Sequence, residues 1–132
     1  MTGREITVVV NTAEVLFTRD GEGFAVSGFR EEMQGRWLAI PAAHDGLPVL
    51  SIRSGAFLGN ELITVVIPDN VRNIGWNAFA DNQLSRLIIG NNVTCIGDEA
   101  FARNTSLTMV TVPKGTSVAP SAFDPWMEII RC

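Results

Sequence analysis

Tyrosine is missing from the 132 residues, only one histidine and two cysteines occur, and charged residues make up 18%, against roughly 25% in ordinary soluble domains. Each shortage excludes something. Without tyrosine, the seven phenylalanines and three tryptophans are mainly core-forming rather than the amphipathic kind that enriches binding sites. Cys95 and Cys132 have no C-x-x-C spacing, and with His44 they fall short of a four-ligand zinc set unless carboxylates contribute, so neither metal nor cofactor is expected. Lys114 is the single lysine, and 10 basic against 14 acidic residues give a net charge of -4. That balance lacks the basic footprint that phosphate backbones and anionic membrane surfaces require, so nucleic acid is not an expected partner. The longest apolar runs, Val8 to Val10 with Ile6 and Leu62 to Pro68, fall far short of the roughly 18 residues of a spanning helix. Membrane insertion is not expected, and the N-terminus shows no signal-peptide pattern.

What the chain has is a period. Ala-Phe recurs at Ala56-Phe57, Ala78-Phe79, Ala100-Phe101 and Ala122-Phe123, in steps of 22 residues. Ile52, Ile74, Ile96 and Val118 keep the same step, while Leu62, Leu84 and Leu107 step by 22 and then 23. Asn60, Asn82 and Asn104 stand three residues after the Phe, with Trp126 at the fourth position. Ile67-Pro68, Ile89-Gly90 and Val112-Pro113 follow each Leu, and Ile40-Pro41 is an earlier copy. The unit therefore runs Leu-x-x-Val-x-Ile-Pro, then x-x-Val-x-x-Ile-Gly-x-x-Ala-Phe-x-x-Asn. Leu62 to Ile67 is short, β-branched and ended by proline, which predicts a strand with Val65 and Ile67 on one face and Thr64 and Val66 on the other. Val71 to Ile74 predicts a second extended segment turning at Gly75, and Ala78-Phe79 a short turn, too brief for an independent helix. One unit cannot bury its seven or so apolar columns alone, whereas stacked coils can. Phe57, Phe79, Phe101 and Phe123 then pack coil on coil, and Asn60, Asn82 and Asn104 form an inward ladder that hydrogen-bonds turn amides.

These columns resemble the BspA-type, or treponemal, leucine-rich repeat over roughly residues 35 to 123. The resemblance implies a β-rich leucine-rich repeat right-handed solenoid, of the α/β horseshoe class with short turns in place of long helices. It also implies a non-catalytic role in binding other proteins and a location more often cell-surface or secreted than the cytoplasmic default. The segment before the repeats looks like the unit that opens such arrays. Glu14-Val15-Leu16-Phe17 and Phe24 to Phe29 flank the turn Asp20-Gly21-Glu22-Gly23, predicting a β-hairpin. Ala42 to Val49 is a turn-rich insertion similar to the family's Asp-Gly-x-Pro-Val loop. In a single domain, residues 1–34 are read as the N-terminal β cap, 35–123 as repeats, and 124–132 as a C-terminal lid whose bulky apolar residues cover the last coil.

The outward strand positions form two columns: Trp37, Thr64, Arg86 and Met109, then Ala39, Val66, Ile88 and Thr111. Such sheet faces bind partners in repeat proteins, and Trp, Arg and Met fit recognition surfaces. The alternative for Val66 and Ile88 is plain β-branched cross-strand packing, and for Trp37 it is cover by the N-terminal hairpin. Four strands give a face of about 200 Å² in projection, against roughly 800 Å² per partner in a standard interface. Loops, the hairpin or a second copy must add area. The expectation is a protein or peptide partner of unspecified identity. The alternatives are a structural, self-associating solenoid, with the chain as a homo-oligomer, or a fragment of a larger cell-surface adhesin-like protein.

Other candidates are weaker. His44 and Asp45 lack a nucleophile elbow and sit in the insertion, so no catalytic site is expected. Gly21-Glu22-Gly23 lacks the third glycine and the helix of a dinucleotide fingerprint. Asn92-Val93-Thr94 and Asn104-Thr105-Ser106 match the glycosylation tripeptide, a pattern common by chance, and neither is expected to be used. Cys95 shares a column with Ser51 and Asn73, predicting an exposed thiol, and no bridge to Cys132 is expected.

Overall fold

The computed structural model describes residues 15–29 and 36–132, so the expected N-terminal cap is described only for its hairpin. Strand β1 (Val15–Asp20) pairs antiparallel with β2 (Gly23–Phe29), and Asp20 faces Gly23 across the turn. Gly21 occupies that turn at φ 63°, a conformation that costs glycine nothing and other residues about 1–2 kcal/mol. Strand β2 then pairs in parallel with β5 (Leu47–Ile52), so the hairpin occupies the sheet edge that the first coil would otherwise leave open.

Each following unit contributes two short strands. One row contains β3 (Trp37–Ala39), β6 (Thr64–Val66) and β8 (Arg86–Ile88), parallel and in register, with Leu38, Val65 and Leu87 in one column. The other row continues from β5 through β7 (Asn73–Ile74), β9 (Cys95–Ile96) and β11 (Ser117–Val118). Together they make a β-solenoid of about five coils, with no helix among the described residues. The Ala-Phe pairs lie in the turns that link the second row back to the first.

The core is the stack of repeated columns. Phe57, Phe79, Phe101 and Phe123 are all buried, with ring centroids 5.3, 5.3 and 5.1 Å apart and planes within 17° of parallel. Phe29 of the hairpin closes the stack edge-on, 4.8 Å from Phe57. A phenolic hydroxyl would have no outlet inside this column, which accounts for phenylalanine without tyrosine. The glycine after Ile74 has a steric reason. A Cβ on Gly75 would stand 2.7 Å from the Ser54 nitrogen of the coil before.

Asn82 and Asn104 are buried inside the turns. The Asn82 Oδ1 accepts the N–H groups of Asn60 and Leu62, both at 2.9 Å, and its Nδ2 donates to the Phe57 and Phe79 carbonyls at 2.9 Å. Asn104 repeats this one coil on, accepting from Leu84 and donating to Phe79 and Phe101. Asn60 departs from the expected inward ladder. It is half-buried, and its Nδ2 donates to Leu58, two residues away. It is the first of the row, and no repeat carbonyl is offered to it from an earlier coil among the described residues.

Two expected segments also differ. The Ala42 to Val49 insertion is a miniature hairpin, β4 (Ala43–His44) against the start of β5. Asp45 and Gly46 turn it with φ of 52° and 80°, the left-handed pair that two-residue hairpins favour. At the C-terminus, residues 124–132 are not a lid laid over the last coil. They add strand β12 (Glu128–Arg131), parallel to β10 (Met109–Val112) with Met109 facing Glu128. Met127 alone packs against the core there, while Ile129 and Ile130 stay exposed.

Candidate interaction face

The outward columns read from the sequence fall where strand alternation puts them. Trp37 faces Thr64 and Thr64 faces Arg86; Ala39 faces Val66 and Val66 faces Ile88. Exposure rises along the face. Trp37, Ala39, Thr64 and Val66 are half-buried, whereas Arg86, Ile88, Met109 and Thr111 are exposed. Ile88 and Met109 show 43% and 52% of their surface, a concentration of apolar side chain beside an arginine that forms no ion pair among the described residues. The Trp37 indole nitrogen is buried and has no hydrogen-bond partner among the described residues.

The continuous four-strand face does not form. The first-row strands make a three-stranded sheet β3-β6-β8 and a separate pair β10-β12, with no ladder between β8 and β10. A cleft of about 570 Å³ lies along that seam, lined by Leu87, Ile88, Ile89, Met109, Val110 and Thr111, among others. The seam falls at the 23-residue step. Asn82 and Leu84 are separated by one residue, Asn104 and Leu107 by two. The longer turn closes on itself, with the Leu107 N–H donating to the Asn104 carbonyl at 3.1 Å. Leu62 and Leu84 instead donate to the Asn82 and Asn104 carboxamides of the next coil.

The His44 ring stacks on Phe17 at 3.8 Å and edge-on to Phe24 at 4.8 Å, which fastens the insertion to the hairpin. Asp45 lies 3.5 Å from its Nε2, and no hydroxyl among the described residues hydrogen-bonds to His44. In the turns after the Ala-Phe pairs, the Arg103 Nε donates to Asp81 at 2.8 Å. That hydrogen bond holds the Asp81 carboxyl below the usual carboxylate range and raises the Arg103 guanidinium. Cys95 and Cys132 are free and exposed. Among the described residues no cluster of metal-ligating side chains occurs and no helix is long and apolar enough to cross a membrane.

A family profile described as the BspA type leucine rich repeat region (6 copies) matches residues 45–129. The chain belongs to the BspA-type leucine-rich repeat family. Among curated proteins nothing matches. A crystal structure of a leucine-rich repeat protein from Bacteroides capillosus ATCC 29799 superposes with a TM-score of 0.81 at 23% identity, covering 92% of this chain and 96% of that one. The T. pallidum leucine rich repeat protein gives 0.66 at 22% identity, covering 84% of this chain and 64% of that one. A leucine rich cell surface protein from Faecalibacterium prausnitzii A2-165 gives 0.64 at 21% identity, covering 93% of this chain and 42% of that one. These similarities establish the fold. The chain spans nearly the whole of the first relative and less than two thirds of the other two.

Within this BspA-type array, two residues perform ladder duties that the repeat columns do not assign them. Asp124 takes the next rung after Asn104, its carboxylate accepting the Arg103 and Asn104 N–H groups at 2.8 and 3.0 Å. Trp126, in the Asn column, donates its indole N–H to the Leu107 carbonyl at 3.0 Å, the part that the Gln83 N–H plays for Leu62. The signal for Asp124 was its place 20 residues after Asn104, the offset by which Asn82 and Asn104 reach Leu62 and Leu84.

Proposed function

We propose that the protein is a non-catalytic interaction module that binds a protein or peptide partner through the first-row sheet face. The observation that supports this reading is the exposed group Arg86, Ile88 and Met109 on a face backed by a close-packed core. Apolar side chains kept in water beside an unpaired arginine match the composition of recognition surfaces. Family membership favours the same role, and one structural relative is described as a cell surface protein, which favours an extracellular partner. The test is affinity capture with the wild type, a face variant (Arg86→Glu with Met109→Glu) and a control variant on the far side (Asn73→Asp), all three checked for native circular dichroism. The reading requires a protein held by the wild type and the control and released by the face variant. Equal capture by all three refutes it.

A second reading, self-association, is favoured by the outer edge of β12, unpaired among the described residues, with Ile129 and Ile130 exposed beside it. Unpaired strand edges template pairing with another copy. Light scattering decides it, since a mass of one chain at high concentration excludes it.

A further inference from the structure

The seam between β8 and β10 is more than an apolar groove, because main-chain hydrogen-bonding groups line it. On the flanking strands, Ile40 N–H donates to Val66 at 3.0 Å and Ile67 N–H to Ile88 at 2.8 Å. The next bond in that series would run from Ile89 N–H to Thr111, and it is not made. Likewise Thr64 N–H donates to Arg36, and Arg86 N–H is directed at Ile63, but Met109 N–H has no such bond to Ser85. Alternation along the strands turns the Leu87 main chain to the same side. Ile89 is buried all the same, and buried amides without partners are costly and rare. Sheet edges of this kind recognise one chemistry above others, the main chain of an extended segment.

The side chains at the mouth specify that segment further. Arg86 and Ile88 are two residues apart and point outward together, the spacing of successive same-face residues on any strand. Met109 stands across the seam, exposed. We propose that the seam takes up an extended peptide running with the flanking strands, which carries an acidic residue opposite Arg86 and, two positions on, an apolar residue against Ile88 and diagonal to Met109. The charge of Arg86 against that acid fixes register, and the free rungs supply the pairing. This deepens the sheet-face reading above and rests on it. A full strand between β8 and β10 needs them about 9.6 Å apart, two sheet spacings. Some of their Cα atoms lie within 8 Å, so β10 and β12 must move outward on binding; no ladder joins β10 to β8, and what opposes the movement is the packing of Val110 and Val112 in the core.

The test uses the whole ¹⁵N-labelled chain and a probe peptide, Ser-Thr-Glu-Val-Ile-Thr-Ser, blocked at both ends. In the free protein, the Ile89 N–H exchanges with solvent at least tenfold faster than those of Ile40 and Ile67. The peptide moves the Ile89, Met109 and Thr111 amide signals saturably. Affinity falls at least tenfold on N-methylation of alternate peptide amides or on a Glu to Lys change in the peptide, and Arg86→Glu in the protein restores binding of the lysine peptide. Ile89 exchange as slow as that of Ile67 overturns the proposal, as does binding indifferent to N-methylation. Peptide signals confined to Trp37 and Thr64 overturn the seam and leave the sheet-face reading standing. No peptide binding overturns the proposal, and only the loss of face-dependent capture as well removes the broader reading. A rise in mass without peptide, with the same amides shifting on dilution, identifies a second copy as occupant and also overturns it.

Discussion

Replacing Asn82 with alanine removes one carboxamide and orphans groups in two coils. The Asn60 and Leu62 N–H groups lose their acceptor, and the Phe57 carbonyl loses its donor. The other carbonyls it touches keep partners, Phe79 through the Asn104 Nδ2 and Ala80 through the Gly59 N–H. Three orphans at about 1–3 kcal/mol each, eased by some water entry, put the cost of Asn82→Ala at about 3–6 kcal/mol. The same change at Asn60 breaks a single bond to Leu58 at a half-exposed site, worth about 0.5 kcal/mol. Urea unfolding, followed by circular dichroism and tryptophan fluorescence together to establish a single transition, measures both. Asn82→Asp separates hydrogen bonding from shape. Its ionised carboxylate faces carbonyl oxygens, so the neutral form is favoured and the folded-state pKa rises. That variant gains stability at low pH and loses it as pH rises through the raised value. A cost for Asn82→Ala within 1 kcal/mol of that for Asn60→Ala refutes the ladder argument.

Phe79→Ala cuts the aromatic stack in the middle, where the ring has neighbours at 5.3 Å on both sides, and costs about 3–5 kcal/mol in a thermal or urea melt. Phe123→Ala, at the end of the stack, costs less. The Asp81–Arg103 pair carries a weak pH dependence of definite sign. The folded-state pKa of Asp81 is lowered by its hydrogen bond to Arg103, so the pair stabilises above the unfolded carboxylate value, about 3.9, and the contribution is lost as pH falls through the folded one. Both side chains are about half exposed, which limits it to about 1 kcal/mol or less. Arg103→Ala flattens the stability curve in that acidic window and leaves the shape above pH 6 unchanged.

How far the sequence reaches depends on whether a feature repeats. Val65, Ile67, Phe79 and Ala78 belong to columns, and a column that recurs every 22 residues has one physical solution, a stacked core. The outward pairs Trp37–Thr64–Arg86 and Ala39–Val66–Ile88 follow, because alternation fixes their side once the inward set is known. What does not repeat was opaque. Trp126 stands in the asparagine column, yet Asp124 supplies the carboxylate rung, because the last coil reaches β12 in a shorter step. His44 reads as a candidate for chemistry in sequence, and its place in a stack with Phe17 and Phe24 depends on a contact between segments with no shared period. The seam is the sharpest instance, since its 23-residue step is visible in Leu84 and Leu107 while its consequence is not.

That consequence can be reversed on the same reasoning. If the extra residue between Asn104 and Leu107 opens the sheet, deleting Ser106 restores the one-residue spacing of Asn82-Gln83-Leu84. Leu107 then loses its local bond to Asn104. The Asp124 carboxylate, already on the Asn104 N–H at 3.0 Å, occupies the position from which Asn82 serves both Asn60 and Leu62, and it accepts the Leu107 N–H. With β10 in register, Ile89 N–H reaches Thr111 and Met109 N–H reaches Ser85, two bonds worth about 0.5–1.5 kcal/mol each. The deletion therefore stabilises the fold by about 1–3 kcal/mol, although shortening a surface turn usually costs stability, and it slows Ile89 exchange to the rate of Ile67. If the deletion destabilises the chain and leaves Ile89 exchange unchanged, turn length is not what parts the strands.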